Sequence, residues 1–211
     1  MVGGRFVRCL MVETGKEATV VQLLKTRRLG QGICPRRTRI RRIQGKWRQD
    51  RVYLLPGYVF VFADEEIPVW SYYRLEHMVR ILRYEREPTG YLQGHDLDLA
   101  AAMCRLDGKL ELLDAVEENG FIRVTDPVLQ QLEGEVLSVD RGKRQAKVKI
   151  SLMGEPRIIQ LNYRLVGRDG QPLSQAEEII VDMVEDESDE WLMAWTPDFA
   201  DDLTEELDHK G

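Results

Sequence analysis

The sequence predicts an α+β domain, then a small all-β barrel, then an acidic tail. Three observations lead there. Up to about residue 107 the apolar residues fall in the order strand, helix, strand, strand, helix, strand. From Phe121 the apolar period changes to two, the spacing of short half-buried strands. From Asp169 the composition becomes strongly acidic.

Phe6 to Val12 is an apolar run of strand length. Thr14-Gly15-Lys16-Glu17 has the form of a capping box, in which the Thr14 hydroxyl accepts from the Glu17 amide and the Glu17 carboxylate reaches back. A helix should follow, burying Val20, Val21 and Leu24 and stopping near Gly30. Arg36 to Ile43, a turn at Gln44-Gly45 and a second extended stretch form a hairpin. That stretch leads into the apolar run Val52 to Phe62, which Pro56-Gly57 interrupts. Pro68 suits the first turn of a helix carrying Trp70 and Tyr73, because its missing amide costs nothing there. Met78 to Tyr84 reads as a strand. Leu97 to Leu106 reads as a last helix, with Asp96 and Asp98 as its caps. This order is a split β-α-β pattern, an antiparallel sheet carrying helices, over residues 5–107. Residues 108–119 are mixed and charged and read as a linker.

Residues 120–168 hold the barrel. Phe121–Val124, Glu135–Val139, Ala146–Ile150 and Arg157–Leu161 are its strands, and Asp126-Pro127, Asp140-Arg141-Gly142 and Gly154 mark its turns. Closing a sheet of short strands removes exposed edges. Residues 169–211 read as a disordered or marginally helical tail. In a helix Trp195, Phe199, Leu203 and Leu207 would align on one stripe.

The 211 residues are 43% hydrophobic, enough for a core. No apolar stretch approaches the roughly 18 residues of a membrane span, and the first residues do not look like a secretion signal. Three cysteines, Cys9, Cys34 and Cys104, with no Cys-x-x-Cys, support neither a disulfide framework nor zinc. A cytoplasmic protein is expected. The net charge of −6 hides an asymmetry: the segment from Asp169 carries −14, which leaves +8 on the 168 residues before it. Such a basic body suggests a polyanionic partner. An enzyme is not expected. His77, His95 and His209 lack metal-ligand spacing, and no nucleophile elbow, P-loop or dinucleotide fingerprint occurs. No cofactor or metal is expected.

Leu54-Leu55-Pro56-Gly57-Tyr58-Val59-Phe60-Val61 resembles the Phe-Pro-Gly-Tyr-Val strand of the NusG N-terminal domain. Phe121 to Gly134, with Glu135 to Asp140 after it, resembles the KOW motif of the same family. The resemblance spans about residues 5–168. It implies an SH3-like KOW barrel and a transcription elongation factor, bacterial, cytoplasmic and nucleoid-associated. It implies that the N-terminal domain sits on the clamp helices of RNA polymerase and suppresses pausing, with Leu55, Pro56, Tyr58 and Phe60 as the polymerase-binding patch. Read without the resemblance, Tyr58 and Phe60 are better explained as core residues under a helix. The KOW domain of such proteins tethers Rho or NusE, and here Leu152 and Met153 would make that contact. Pro127-Val128-Leu129 and Glu155 depart from the family pattern and count against those partners.

A larger departure is Arg36-Arg37-Thr38-Arg39-Ile40-Arg41-Arg42. From Lys25 to Arg51 there are 11 basic residues and one acid, Asp50. Arginine presents a planar fork that matches phosphate oxygens. Arg36, Arg37, Arg39, Arg41, Arg42, Lys46, Trp47 and Arg48 are the candidate nucleic-acid residues. Arg37, Arg39 and Arg41 fall on one face by alternation, joined by Lys46 and Arg48 across the turn. Trp47 can stack on a base or support the hairpin. The pattern resembles specialised NusG paralogues of the LoaP type, which implies antitermination at selected operons through a structured leader RNA. The rival readings are a housekeeping NusG coupled to Rho or NusE, and a ribosome-associated KOW protein. The tail could dock on the basic hairpin, or simply solubilise the chain.

Overall fold

The structure is a computed structural model that describes residues 6–85, 87–167, 170–171 and 180–181. The stripe Trp195, Phe199, Leu203 and Leu207 lies outside them. Along the chain run β1 (Phe6–Val12), α1 (Glu17–Thr26), β2 (Gln31–Ile33), β3 (Arg36–Ile43), β4 (Lys46–Tyr53), β5 (Tyr58–Ala63), α2 (Val69–Tyr72) and β6 (Met78–Ile81). Then follow α3 (His95–Arg105), β7 (Lys109–Leu110), β8 (Leu113–Glu118), β9 (Phe121–Val124), α4 (Val128–Gln131), β10 (Glu135–Asp140), β11 (Gln145–Leu152), β12 (Glu155–Leu165) and β13 (Ile180–Val181).

These elements form two compact units. The first takes the chain up to Pro35 and then Leu55–Gly108. Its sheet has the order β2-β5-β1-β6, with every pair antiparallel. Val7, Cys9, Leu10 and Val12 in β1 are buried, as are Val59 to Ala63 in β5. Consecutive residues of a strand point to opposite faces, so both faces of this sheet are covered. Val20, Val21 and Leu24 of α1 are buried as their helical spacing requires. The capping box does not form. Lys16 takes the N-cap position without a side-chain bond, and the Glu17 carboxylate turns to the Gly57 amide, 2.6 Å from Oε1.

Three features of this unit were not read from the sequence. Arg8 is 2% exposed, yet its Nε donates to the Thr89 carbonyl and its Nη1 to the Ile67 carbonyl. Its guanidinium lies between the rings of Tyr91 and Tyr72, 4.1 and 5.3 Å from their centroids. Aromatic faces attract a cation and help offset its lost hydration. Asp96 does not cap α3; it is buried in the first turn and accepts from the Tyr84 hydroxyl at 2.6 Å. Burial and that bond push the Tyr84 phenol up to about 12. The short strand β2 follows α1 and extends the sheet beside β5.

The second unit takes Arg36–Leu54 together with the chain from Lys109. The hairpin β3-β4, assigned by sequence to the domain over 5–107, therefore groups with the barrel residues. The stretch read as a linker is also ordered. Within it, β7 pairs in parallel with β3, and β8 pairs with β9 and in parallel with β12. The sequence pattern misses β8 because Leu113, Asp114, Ala115 and Val116 alternate only weakly in polarity. The barrel sheet has the order β10-β11-β12-β8-β9. Ala146, Val148, Ile150 and Leu152 point inward on β11, and Lys147 and Lys149 point outward. A second sheet has the order β13-β4-β3-β7.

Gly57 has φ +83, a conformation that side-chain-bearing residues rarely adopt, and a Cβ there would stand 3.2 Å from the Val12 carbonyl. Gly57→Ala should therefore destabilise the fold by about 1–2 kcal/mol, and urea denaturation would measure it. Glu17→Ala should also destabilise, since it leaves the buried Gly57 amide unsatisfied at a cost of about 1–3 kcal/mol. Glu17→Gln, which keeps an acceptor oxygen, should recover part of that loss in the same assay.

Candidate functional site

The arginine hairpin is built from two residue pairings. Gln44 and Gly45 both have positive φ, +50 and +79, the geometry of a tight turn between right-twisted strands. That turn fixes the register, which sets Arg41 against Arg48 and Ile43 against Lys46. Directly opposed residues share a face. One face of the hairpin therefore carries Arg37, Arg39, Arg41, Lys46, Arg48 and Asp50. The other carries Arg36, Thr38, Ile40, Arg42, Trp47 and Arg51.

The two faces differ in exposure. Arg36, Thr38, Ile40 and Trp47 are buried. Thr38 donates to Glu111 at 2.7 Å, and the Arg144 guanidinium stacks 4.8 Å above the Trp47 ring. Arg36 lies 5.2 Å from the Tyr53 ring centroid. Trp47 therefore supports the hairpin and has no face to offer a base, and Arg36 is equally out of reach of a phosphate. Arg41, Arg42 and Lys46 are exposed, and Arg39 and Arg48 are half-buried.

On the first face the charges are organised by Asp50. Arg39 grips it with two parallel bonds, Nε to Oδ1 at 2.8 Å and Nη2 to Oδ2. The Arg41 Nη2 lies 3.1 Å from the same Oδ2. The bonds from Arg39 come first among the causes that hold the Asp50 carboxyl below its ordinary value, and the charges of Arg39, Arg41 and Arg37 add to them. Five cations against one carboxylate leave the face at +4. Arg37 is drawn in further. Burial, then the charge of Arg39, lower its pKa, and its Nη1 donates to the Asn162 Oδ1 at 3.2 Å. Asn162 is 2% exposed, and its Nδ2 donates to the carbonyls of Ile40, Lys143 and Arg144 at 3.1–3.3 Å.

The polymerase-patch residues are positioned by the Leu55–Tyr58 turn. The Tyr58 amide donates to the Leu55 carbonyl at 3.2 Å, with Pro56 at the second position and Gly57 at the third. This is the residue pattern of a type II turn. The Val12 amide donates to the Gly57 carbonyl at 2.8 Å and Glu17 holds the Gly57 amide, so the turn is clamped from two elements. Pro56 is exposed and Tyr58 half-buried, but Phe60 is 0% exposed and Leu55 is buried. An exposed aromatic row of Tyr58 and Phe60 does not exist. Phe60 shares the strand face of Tyr58 but lies two residues further into a sheet covered on both sides.

Leu152 belongs to the barrel core, and Met153 sits in the β11-β12 turn with φ +56. The exposed apolar side chains of the barrel are others: Phe121, Val136, Leu137 and Ile158. Sequence reading missed them. Ile158 was visible in principle, because of two adjacent isoleucines on an alternating strand one must face outward. In the first unit Trp70 and Tyr73 are exposed, with Arg74 over the Trp70 ring at 4.6 Å.

No protein-family model and no curated protein matches this chain. Among solved structures it is similar to one described as domain interaction in Thermotoga maritima NusG. The identity is 15% and the TM-score 0.44, over 77% of this chain and 96% of that chain. Among the described residues no helix is long and apolar enough to cross a membrane.

Asn162→Ala should cost about 1–3 kcal/mol, because the buried Ile40 carbonyl and Arg37 lose their amide partner together. Hydrogen exchange should show β3 opening before the rest of the chain. Asp50→Asn should cost about 1 kcal/mol or less, as partly exposed pairs do. The Asp50 pKa is depressed on folding, so its contribution is in place above the unfolded value of about 4 and fades as pH falls through the folded one. Asp50→Asn should accordingly flatten the acid side of the stability profile.

Proposed function

We propose that this chain is a transcription elongation factor that binds RNA polymerase and is loaded at selected operons by a structured leader RNA. It acts by binding, not by catalysis. The observation that carries this reading is the arginine face of the β3-β4 hairpin. Arg39, Arg41, Lys46 and Arg48 share one side of a two-stranded ribbon, with a single carboxylate among them. Residues two apart on a strand are about 6.5–7 Å apart, close to the spacing of successive phosphates, so the row can follow one backbone strand. The deep major groove of an RNA stem excludes side chains, so such a row reads shape and phosphate rather than sequence.

The polymerase half of the reading is supported by the Leu54–Val61 segment and its resemblance to the NusG strand. The clamped turn offers Pro56 and the edge of Tyr58 to a partner, while Leu55 and Phe60 hold it from beneath. Rigid presentation lowers the entropy lost on association. The barrel would tether a second protein through its exposed Phe121, Leu137 and Ile158, with Rho and NusE as the candidates the resemblance suggests.

A pull-down with core RNA polymerase tests the first half. Tyr58→Ala should weaken binding by at least about tenfold with the fold intact. Unchanged affinity in the folded variant would sink the polymerase assignment. Salt-titrated binding to an RNA stem-loop tests the second half. Replacing Arg39, Arg41 and Lys46 with glutamine should remove most of the affinity, and with it a salt slope of about −2 to −3 expected of three phosphate contacts. A variant that keeps both would reduce the arginine face to a solvated surface.

A further inference from the structure

Within the second unit, the hairpin and the barrel meet around one side chain. The Arg37 Nη1 donates to the Asn162 Oδ1 at 3.2 Å, and the Asn162 Nδ2 donates to the Lys143 carbonyl at 3.3 Å. A single amide therefore separates the arginine face from the turn before β11. Lys143 lies in that turn with its side chain 76% exposed. Its ammonium stands 3.8 Å from the Asp140 carboxylate, an exposed contact of the kind that contributes little and is readily exchanged.

The strand register carries the surface further. Asn162 on β12 pairs with Gln145 on β11. Two residues along, Lys147 pairs with Gln160 on one side and with Ser138 of β10 on the other. Directly opposed residues share a face, and so do residues two apart on a strand. Asn162, Gln145, Gln160, Lys147 and Ser138 therefore lie on one side of the barrel sheet. It is the outer side, since Ala146, Val148, Leu161 and Tyr163 of the opposite parity are buried. Asn162 is covered there by β3, whose Ile40 carbonyl accepts from its Nδ2. Gln160, Lys147 and Ser138 are exposed. Both cross-strand neighbours of Lys147 are uncharged, so no opposed acid offsets it. In the next row Lys149 does face an acid, Glu135, at 3.3 Å. Lys147 is one step of about 6.5–7 Å along β11 from Gln145, the same spacing as in the arginine row.

We propose that the phosphate-binding surface continues from the arginine face, across Asn162, onto the outer face of the barrel, where Lys143 and Lys147 take further phosphates of one duplex RNA stem. This rests on the reading that the arginine face takes phosphate. The hairpin supplies most of the charge and the barrel supplies length. A stem long enough to lie along both gains two contacts that a short stem never reaches. Because duplex RNA is recognised through its shape and backbone, length is a property such a surface can select.

The test uses the full chain and Lys143→Gln with Lys147→Gln, two exposed substitutions that leave the core intact. Binding is titrated with salt on two RNA stem-loops, one with a stem of about 16 base pairs and one of about 5. On the long stem the variant should bind about tenfold more weakly at low salt, with a salt slope shallower by about 1.5–2, as two lost phosphate contacts require. On the short stem the two proteins should bind alike. Equal affinity and slope on the long stem, while Arg39→Gln with Arg41→Gln weakens binding, would overturn the continuation and leave the arginine-face reading standing. An equal loss on both stems would place the lysines at the arginine contact itself and also overturn the continuation. If the natural chain binds neither RNA, the arginine-face reading fails and the continuation with it.

Discussion

The buried amide of Asn162 is the interaction on which the arginine hairpin depends. An amide in a dry site must satisfy both ends or lose a few kcal/mol. Asn162 does so by accepting from Arg37 and donating to the carbonyls of Ile40, Lys143 and Arg144. Two of those carbonyls belong to the turn before β11 and one to the middle of β3. The amide thus joins the hairpin to the barrel at the point where β7 has stopped pairing with β3. Trp47 and Ile40 then seal one face of the ribbon, and the Arg144 guanidinium covers the indole. With the centre of that face sealed, Arg42 and Arg51 lie at its margins, and Arg37, Arg39, Arg41, Lys46 and Arg48 gather on the other.

The first unit solves a related problem with a carboxylate. Glu17 is fully buried, and one of its oxygens holds the amide of Gly57. The turn it clamps needs glycine for its φ and proline for its rigidity. The motif Pro56-Gly57-Tyr58 is therefore as much a demand of the sheet as of any partner. Its exposed part is small: the proline ring and the edge of one tyrosine. Arg8, held by two carbonyls and two tyrosine rings, ties the loops around Ile67 and Thr89 to β1 by the same rule that a buried charge must be surrounded by partners.

Much of this was legible in the sequence, and what was not has physical reasons. Period-two alternation located β10, β11 and much of β12, because a strand with one wet face must alternate, and the Gln44-Gly45 turn located β3 and β4. It failed for β8, whose acids sit among short apolar residues, and for β2, three residues long. Parity placed Arg37, Arg39 and Arg41 together, but parity says nothing about which face is covered. Trp47 and Arg36 are residue types that suit binding, but Arg144 and Tyr53 lie against them. Phe60 shows the same limit: alternation puts it with Tyr58, and only the tertiary structure shows that the sheet is covered on both sides there. Glu17 and Thr14 fitted a local capping rule, and a long-range amide at Gly57 outcompeted it. Local patterns find elements, and long-range partners decide what their side chains do.

The position of Asp50 bears on how stability and the proposed phosphate binding would constrain each other on the arginine face. Five cations on one small ribbon repel: burial lowers the Arg37 pKa, and the neighbouring charge of Arg39 lowers it further. A ribbon with no acid would carry that strain in the absence of ligand. A ribbon with an acid for each arginine would be stable and neutral, with nothing left for a phosphate. One carboxylate, shared between Arg39 and Arg41, orients two guanidinium planes and removes only one charge. The orientation has the larger effect, because a preset fork loses little entropy when it meets an oxyanion.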